Sequence, residues 1–164
     1  MIFGILKLMK EVLKIDSRDE MIELGKIIGE LAYPNLLLTL NGDLGAGKTT
    51  LTKGIAIGLG ISSIVSSPTF TIMKVYEGRL TLYHLDVYRI DDSSNDFELE
   101  EYFEDDGVCV IEWAKNVSDL LPDDRIDIDI KDLGDDKRLL TIEANDSRNI
   151  GLINKLKTIK SISK

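Results

Sequence analysis

The residues of this chain best suited to chemistry are crowded into one short stretch, "NGDLGAGKTT". Gly42, Asp43, Leu44, Gly45, Ala46, Gly47, Lys48 and Thr49 satisfy G-x-x-x-x-G-K-[ST] at every fixed position, with Thr50 directly behind. Glycines so spaced let the backbone curl until successive N–H groups point inward and form a nest for an anion. A helix starting near Lys48 adds the positive end of its dipole. Lys48 supplies a charge for the β- and γ-phosphates and Thr49 a hydroxyl for Mg²⁺, which is the chemistry of a bound nucleoside triphosphate. The lysine is expected to face solvent within this loop rather than the core.

Two acids are candidates to complete such a site. In "YHLDVYR", alternation sets Leu82, His84 and Asp86 on one strand face, with Asp86 at the strand's end. A carboxylate there can hold the Mg²⁺ shell; the alternatives are a helix cap or a pair with Arg89. In "VCVIEW", Glu112 ends a second strand and is either a metal ligand, the group that orients an attacking water, or one half of a structural salt bridge. Trp113 beside it could wall the site from water. The hydroxyl-rich "SSPTFT" reads either as a loop responsive to a γ-phosphate or as an ordinary turn into a strand. His84, the sole histidine, reads as a packed residue that orients its neighbours, with a direct catalytic role as the alternative. The acidic run from Asp91 to Asp106 reads as a solvated face, or as a docking surface for a basic partner.

The elements that must position these groups are legible in outline. "SRDE", Ser17 to Glu20, has capping-box spacing, and Met21, Leu24, Ile27, Ile28 and Leu31 follow at helical intervals. Leu36 to Leu40 is short and continuously apolar, as a strand buried on both faces requires. The loop follows, and Lys48 to Leu59 is the expected helix behind it. Phe70 to Tyr76 and Leu80 to Asp86 flank "EGR" as a hairpin, and Asn95 to Phe103 reads as an acidic helix. Val108 to Ile111 is another buried strand. Ile126, Ile128 and Ile130 alternate with aspartates as in a half-buried antiparallel strand, and Leu139 to Ile142 returns across "DLGDDK". The expected fold is α/β: a single-domain P-loop NTPase whose mixed sheet has a parallel centre, antiparallel additions and helices on both faces. Residues 1–14 form a leader and first strand, 15–148 the P-loop domain, and 149–164 a basic, helical tail.

Composition narrows the function classes. The 164 residues carry a net charge of −9, so the chain is a poor direct ligand for RNA or DNA, whose phosphates need clustered Lys and Arg. A single cysteine, Cys109, excludes an intramolecular disulfide and suits a reducing compartment. No apolar run approaches the ~18 residues of a membrane span. A cytoplasmic location is expected.

"NGDLGAGKTT", "SPTFT", "LYHLDVYRI", "IEWA" and "LLPDDR" together, in this order and spacing, resemble the bacterial tRNA threonylcarbamoyladenosine biosynthesis ATPases of the TsaE family, also called YjeE. The likeness runs from about Ile15 to Glu143. It implies a small ATPase that uses ATP and Mg²⁺ and works with TsaD and TsaB homologues on the tRNA adenosine beside the anticodon. The tRNA would be met only through that complex, with no DNA or membrane involved. The family's nucleotide and Mg²⁺ positions fall on Gly42 to Thr50, Asp86, and Glu112 with Trp113. Its nucleotide-responsive segment falls on Ser67, Pro68 and Thr69. Its arginine after the late acidic turn falls near Lys137-Arg138, making Arg138 a candidate adenine or phosphate contact. Where the family often has a glycine before the first core strand, this chain has Pro34-Asn35. The rival readings are a small-molecule kinase, which would need an arginine-bearing lid, and a nucleotide-dependent regulator with negligible turnover.

Overall fold

The computed structural model describes residues 8–68, 72–88, 100–103 and 105–162. Strand β1 (Met9–Ile15) leads into helix α1 (Arg18–Leu31), which opens as its sequence requires. The Ser17 hydroxyl accepts from the Glu20 N–H at 3.1 Å, and the Glu20 carboxylate accepts from the Asp16 N–H at 2.6 Å. Two orphan donors at the helix start are thereby satisfied. At the other end, the Arg79 guanidinium donates to the carbonyls of Gly29 and Ala32, where a cation complements the helix dipole.

Strand β2 (Leu37–Asn41) runs into the glycine-rich loop and helix α2 (Lys48–Gly58). The chain continues through β3 (Met73–Tyr76), β4 (Leu82–Asp86), the short helix α3 (Glu100–Phe103) and β5 (Val108–Glu112). A 3₁₀ turn, Ala114–Leu120, precedes β6 (Ile126–Gly134), β7 (Lys137–Ala144) and helix α4 (Ser147–Ile162). The seven strands form one sheet in the order β1-β7-β6-β2-β5-β4-β3. β6, β2, β5 and β4 are mutually parallel, while β7 with β1 extends one side antiparallel and β3 the other. The expected mixed sheet is therefore observed. β6 is antiparallel only towards β7; its other neighbour is β2, to which it runs parallel. Alternation along β6 reports which face is buried, not the direction of the neighbour.

One face of the sheet carries the larger core, where Leu38, Leu40, Val110 and Ile128 meet Leu24 and Ile28 of α1, Leu51 and Ile55 of α2, and Leu152, Ile153 and Leu156 of α4. The other face is smaller: Leu37, Leu85, Cys109 and Ile111 pack beneath Ala114 and Val117 of the 3₁₀ turn, with Phe103 of α3 at the margin. Only the last turn of the expected acidic helix is among the described residues. No helix of the described residues is long and apolar enough to cross a membrane.

Helices α1 and α2 pack closely against each other. Gly25 and Gly29 of α1 face Gly54 and Gly58 of α2, and a Cβ at any of the four would collide with a carbonyl oxygen of the opposite helix. Four glycines at i, i+4 spacing allow the helix backbones to touch, which fixes where α2, and so Lys48 and Thr49, sits over the sheet. Gly58→Ala, whose Cβ would strike the Lys26 carbonyl, is expected to cost about 3 kcal/mol by urea unfolding, because backbone must move to admit it. Gly151→Ala in α4, where nothing lies within 4 Å of the new Cβ, is the control and should be neutral or slightly stabilising.

Candidate nucleotide site

The loop sits where three parallel strands end at one level. Leu40 of β2 pairs with Glu112 of β5, and Glu112 pairs with Asp86 of β4. The register thus delivers the loop and both candidate acids to the same carboxyl edge of the sheet, the usual place for a site in an open α/β fold. Within the loop Gly45 (φ 79°) and Gly47 (φ 114°) adopt left-handed conformations that side-chain-bearing residues rarely reach, and Gly47 caps α2. Gly42 is constrained from outside: a Cβ there would lie 2.6 Å from the Ile130 carbonyl on β6.

Lys48 does not face solvent as its place in the loop suggested. It is only 5% exposed. Its Nζ donates to the carbonyls of Gly42 (2.6 Å) and Asp43 (3.0 Å) and lies 4.2 Å from the centre of the Trp113 ring. Burial lowers its pKa from the ordinary lysine value, against the opposing pull of Glu112, Asp86 and Asp43. The ammonium is held by carbonyls and an aromatic face at the point where phosphate charge would replace them.

Both acids are buried at the strand ends. Asp86 accepts the Tyr88 N–H at 2.9 Å, which turns its carboxylate back over the strand end. Glu112 Oε1 accepts from the Thr49 hydroxyl at 3.4 Å, and Oε2 lies 2.5 Å from His84 Nε2. Trp113, next in the chain, has φ 63° and ψ 34°. For a bulky residue that left-handed conformation is strained, and it turns the ring from the sheet edge to the face of Lys48, against Tyr88 with ring centres 4.8 Å apart. The Asn116 amide donates to the carbonyls of Val87 (3.0 Å) and Tyr88 (3.2 Å), tying the 3₁₀ turn to the segment that carries Asp86. Ile72, at the end of the "SPTFT" loop, is also left-handed (φ 65°).

These groups enclose a cavity of about 280 Å³ walled by the loop from Leu44 to Thr50, with Ser67, Tyr88, Asp86, Glu112 and Trp113. Gly42 and Asp43 contribute through Lys48 rather than to the wall. Arg138 stands behind the loop: its Nε donates to the Ala46 carbonyl (2.7 Å), and its terminal nitrogens reach the Gly45 carbonyl (3.4 Å) and the Asp132 carboxylate (2.9 Å). It braces the loop through the carbonyls of Ala46 and Gly45. Thr69 and Arg89 lie outside the described residues. Ser67 of the expected nucleotide-responsive segment lines the cavity, and Tyr88 and Asn116 join the site or its support although no sequence pattern assigned either a role.

Among the described residues no three His, Cys, Asp or Glu cluster as a metal site. Mg²⁺ does not need one, since it takes one or two carboxylates and completes its octahedron with water and phosphate oxygens. Thr49, Asp86 and Glu112 offer that hard-oxygen donor set and fit the ion.

The family described as threonylcarbamoyl adenosine biosynthesis protein TsaE matches residues 15–140. The chain belongs to the TsaE family. The tRNA threonylcarbamoyladenosine biosynthesis protein TsaE of Bacillus subtilis is 51% identical over 141 residues, covering 85% of this chain and 89% of that protein. The TsaE of Treponema pallidum is 43% identical over 120 residues, covering 72% and 89% respectively. The crystal structure of Bacillus subtilis YdiB has a TM-score of 0.84 at 42% identity, covering 94% of this chain and 98% of that one. The structural likeness therefore extends beyond the segment matched by the TsaE family and takes in elements at its flanks.

Proposed function

We propose that this TsaE-family chain binds ATP with Mg²⁺ in the cleft and hydrolyses it slowly. In doing so it supports TsaD and TsaB homologues that attach threonylcarbamoyl to the tRNA adenosine beside the anticodon, in the cytoplasm. The observation that carries this reading is the convergence of Lys48, Thr49, Asp86 and Glu112 on one cleft at the carboxyl edge of the sheet. The nest N–H groups and Lys48 bind and orient the phosphates. Trp113 and Tyr88 shield that end from water, and Thr69 is proposed to contact the nucleotide from the responsive loop. Bound Mg²⁺ would neutralise phosphate charge, held by Thr49, Asp86 and Glu112. Glu112, buried and oriented, is placed to accept a hydrogen bond from an attacking water.

Turnover in isolation should be slow. Among the described residues, Arg138 is committed to loop carbonyls and Asp132, and Arg79 caps α1. P-loop enzymes without an arginine on the transferring phosphate turn over at roughly 10⁻⁴ to 10⁻² s⁻¹. An acidic chain also meets tRNA best through a partner. The test is steady-state phosphate release with TsaD–TsaB absent, present, and present with tRNA. Slow release alone and a clear rise with the complex are expected. Fast release in isolation, or transfer of phosphate to a small acceptor instead of water, would favour an independent kinase.

A further inference from the structure

The one histidine of the chain occupies a position where a polar side chain is costly. His84 is 0% exposed in the middle of β4, between Leu82 and Leu85 on the same strand. Its Nδ1 is buried with no hydrogen-bond partner among the described residues. An unsatisfied buried polar atom costs about 1–3 kcal/mol, which a leucine or valine at the same place would avoid. Packing alone therefore does not account for histidine here.

Its one polar side-chain contact among the described residues does. His84 pairs in register with Val110, so Glu112, two residues further along β5, is its diagonal neighbour on the same face. His84 Nε2 meets Glu112 Oε2 at 2.5 Å, while Glu112 Oε1 is the atom turned to Thr49. A glutamate at a strand end otherwise has three rotatable bonds and two equivalent oxygens. The histidine removes that freedom and decides which oxygen faces the loop.

We propose that His84 is a positioning residue for Glu112: in its Nε2-protonated form it donates to Oε2 and so aims Oε1 at the Thr49 side of the nucleotide cleft. The proposal rests on the nucleotide-hydrolysis function proposed above for its catalytic consequence, but not for the contact itself. A group that orients another in this way is worth about 10- to 100-fold in activity or metal affinity. His84→Leu conserves approximate volume and removes the donor, whereas His84→Gln restores an amide N–H that can reach the carboxylate.

The test has two arms. In the first, the lone histidine makes nitrogen NMR of the nucleotide-free chain unambiguous. The expected result is the Nε2-protonated tautomer, with ring resonances that shift in Glu112→Gln. An Nδ1-protonated tautomer, or resonances indifferent to Glu112→Gln, overturns the proposal. In the second arm, His84→Leu should keep Mg²⁺-free ADP affinity and lose 10- to 100-fold in the turnover number with little change in KM, and His84→Gln should recover part of that loss. Wild-type turnover in His84→Leu, or equal loss of ADP binding and turnover in both variants, assigns His84 to folding alone and overturns the proposal. If the wild-type chain binds and hydrolyses no ATP, the nucleotide function fails by itself, and the NMR arm still decides whether His84 orients Glu112.

Discussion

Lys48→Ala is expected to remove measurable ATP–Mg²⁺ binding. Two charge-assisted hydrogen bonds to phosphate oxygens at about 1.5–3 kcal/mol each make about 3–6 kcal/mol, or roughly 10²- to 10⁴-fold in affinity. The fold should survive, because the truncation removes an ammonium that burial already disfavours. The wild-type chain adds a signature of its own. Phosphate binding needs the protonated amine, and the pKa of Lys48 is lowered, so affinity should begin to fall with rising pH before the ordinary lysine value of 10.5 is reached. The alanine variant should lack that decline. Calorimetry decides: ATP–Mg²⁺ bound as tightly by the variant as by wild type would sink the phosphate-loop assignment.

Glu112→Gln is expected to lower Mg²⁺-dependent hydrolysis by about 10²- to 10⁴-fold, the usual worth of a group that moves or orients a proton in the reacting step. Asp86→Asn should impair the same reaction, since the amide keeps an acceptor for the Tyr88 N–H but loses the charge for Mg²⁺. Both substitutions retain size and shape at buried positions, so Mg²⁺-free ADP binding by the Walker loop should stay close to wild type in each. Parallel loss of ADP binding and hydrolysis would point to local unfolding. Full hydrolysis by either variant would take that residue out of the site.

The site residues legible in the sequence share one property: their signal is local. Gly45, Gly47, Lys48 and Thr49 must be close in sequence to form a nest, because the nest is made of consecutive N–H groups. The Ser17–Glu20 cap closes within one helical turn, and the mostly apolar run leading through β2 reports burial on both faces wherever its neighbours come from. Asp86 and Glu112 could be picked out because each ends a buried strand, and strand ends gather at one edge in this class of fold.

What remained illegible depends on pairings far apart in the chain. Arg138 reaches the Ala46 carbonyl across 92 residues, a contact that no local pattern announces. Lys48 read as solvent-facing because its burial comes from Trp113, whose ring reaches it only through a left-handed backbone at φ 63°. Gly25, Gly29, Gly54 and Gly58 stand in view as two G-x-x-x-G patterns, but their meaning is the crossing of α1 over α2. The basic tail from Asn149 is part of α4, which begins at Ser147 and packs Leu152, Ile153 and Leu156 into the main core. The sequence by itself determined the glycine-rich loop, the helix start and the buried strands, because hydrogen bonds and side-chain periodicity over a few residues suffice for them. The tertiary structure alone decided that β2, β5 and β4 lie side by side and in register. That placement, set by the crossovers and the packing of both faces, is what brings Lys48, Asp86, Glu112 and His84 within reach of one another.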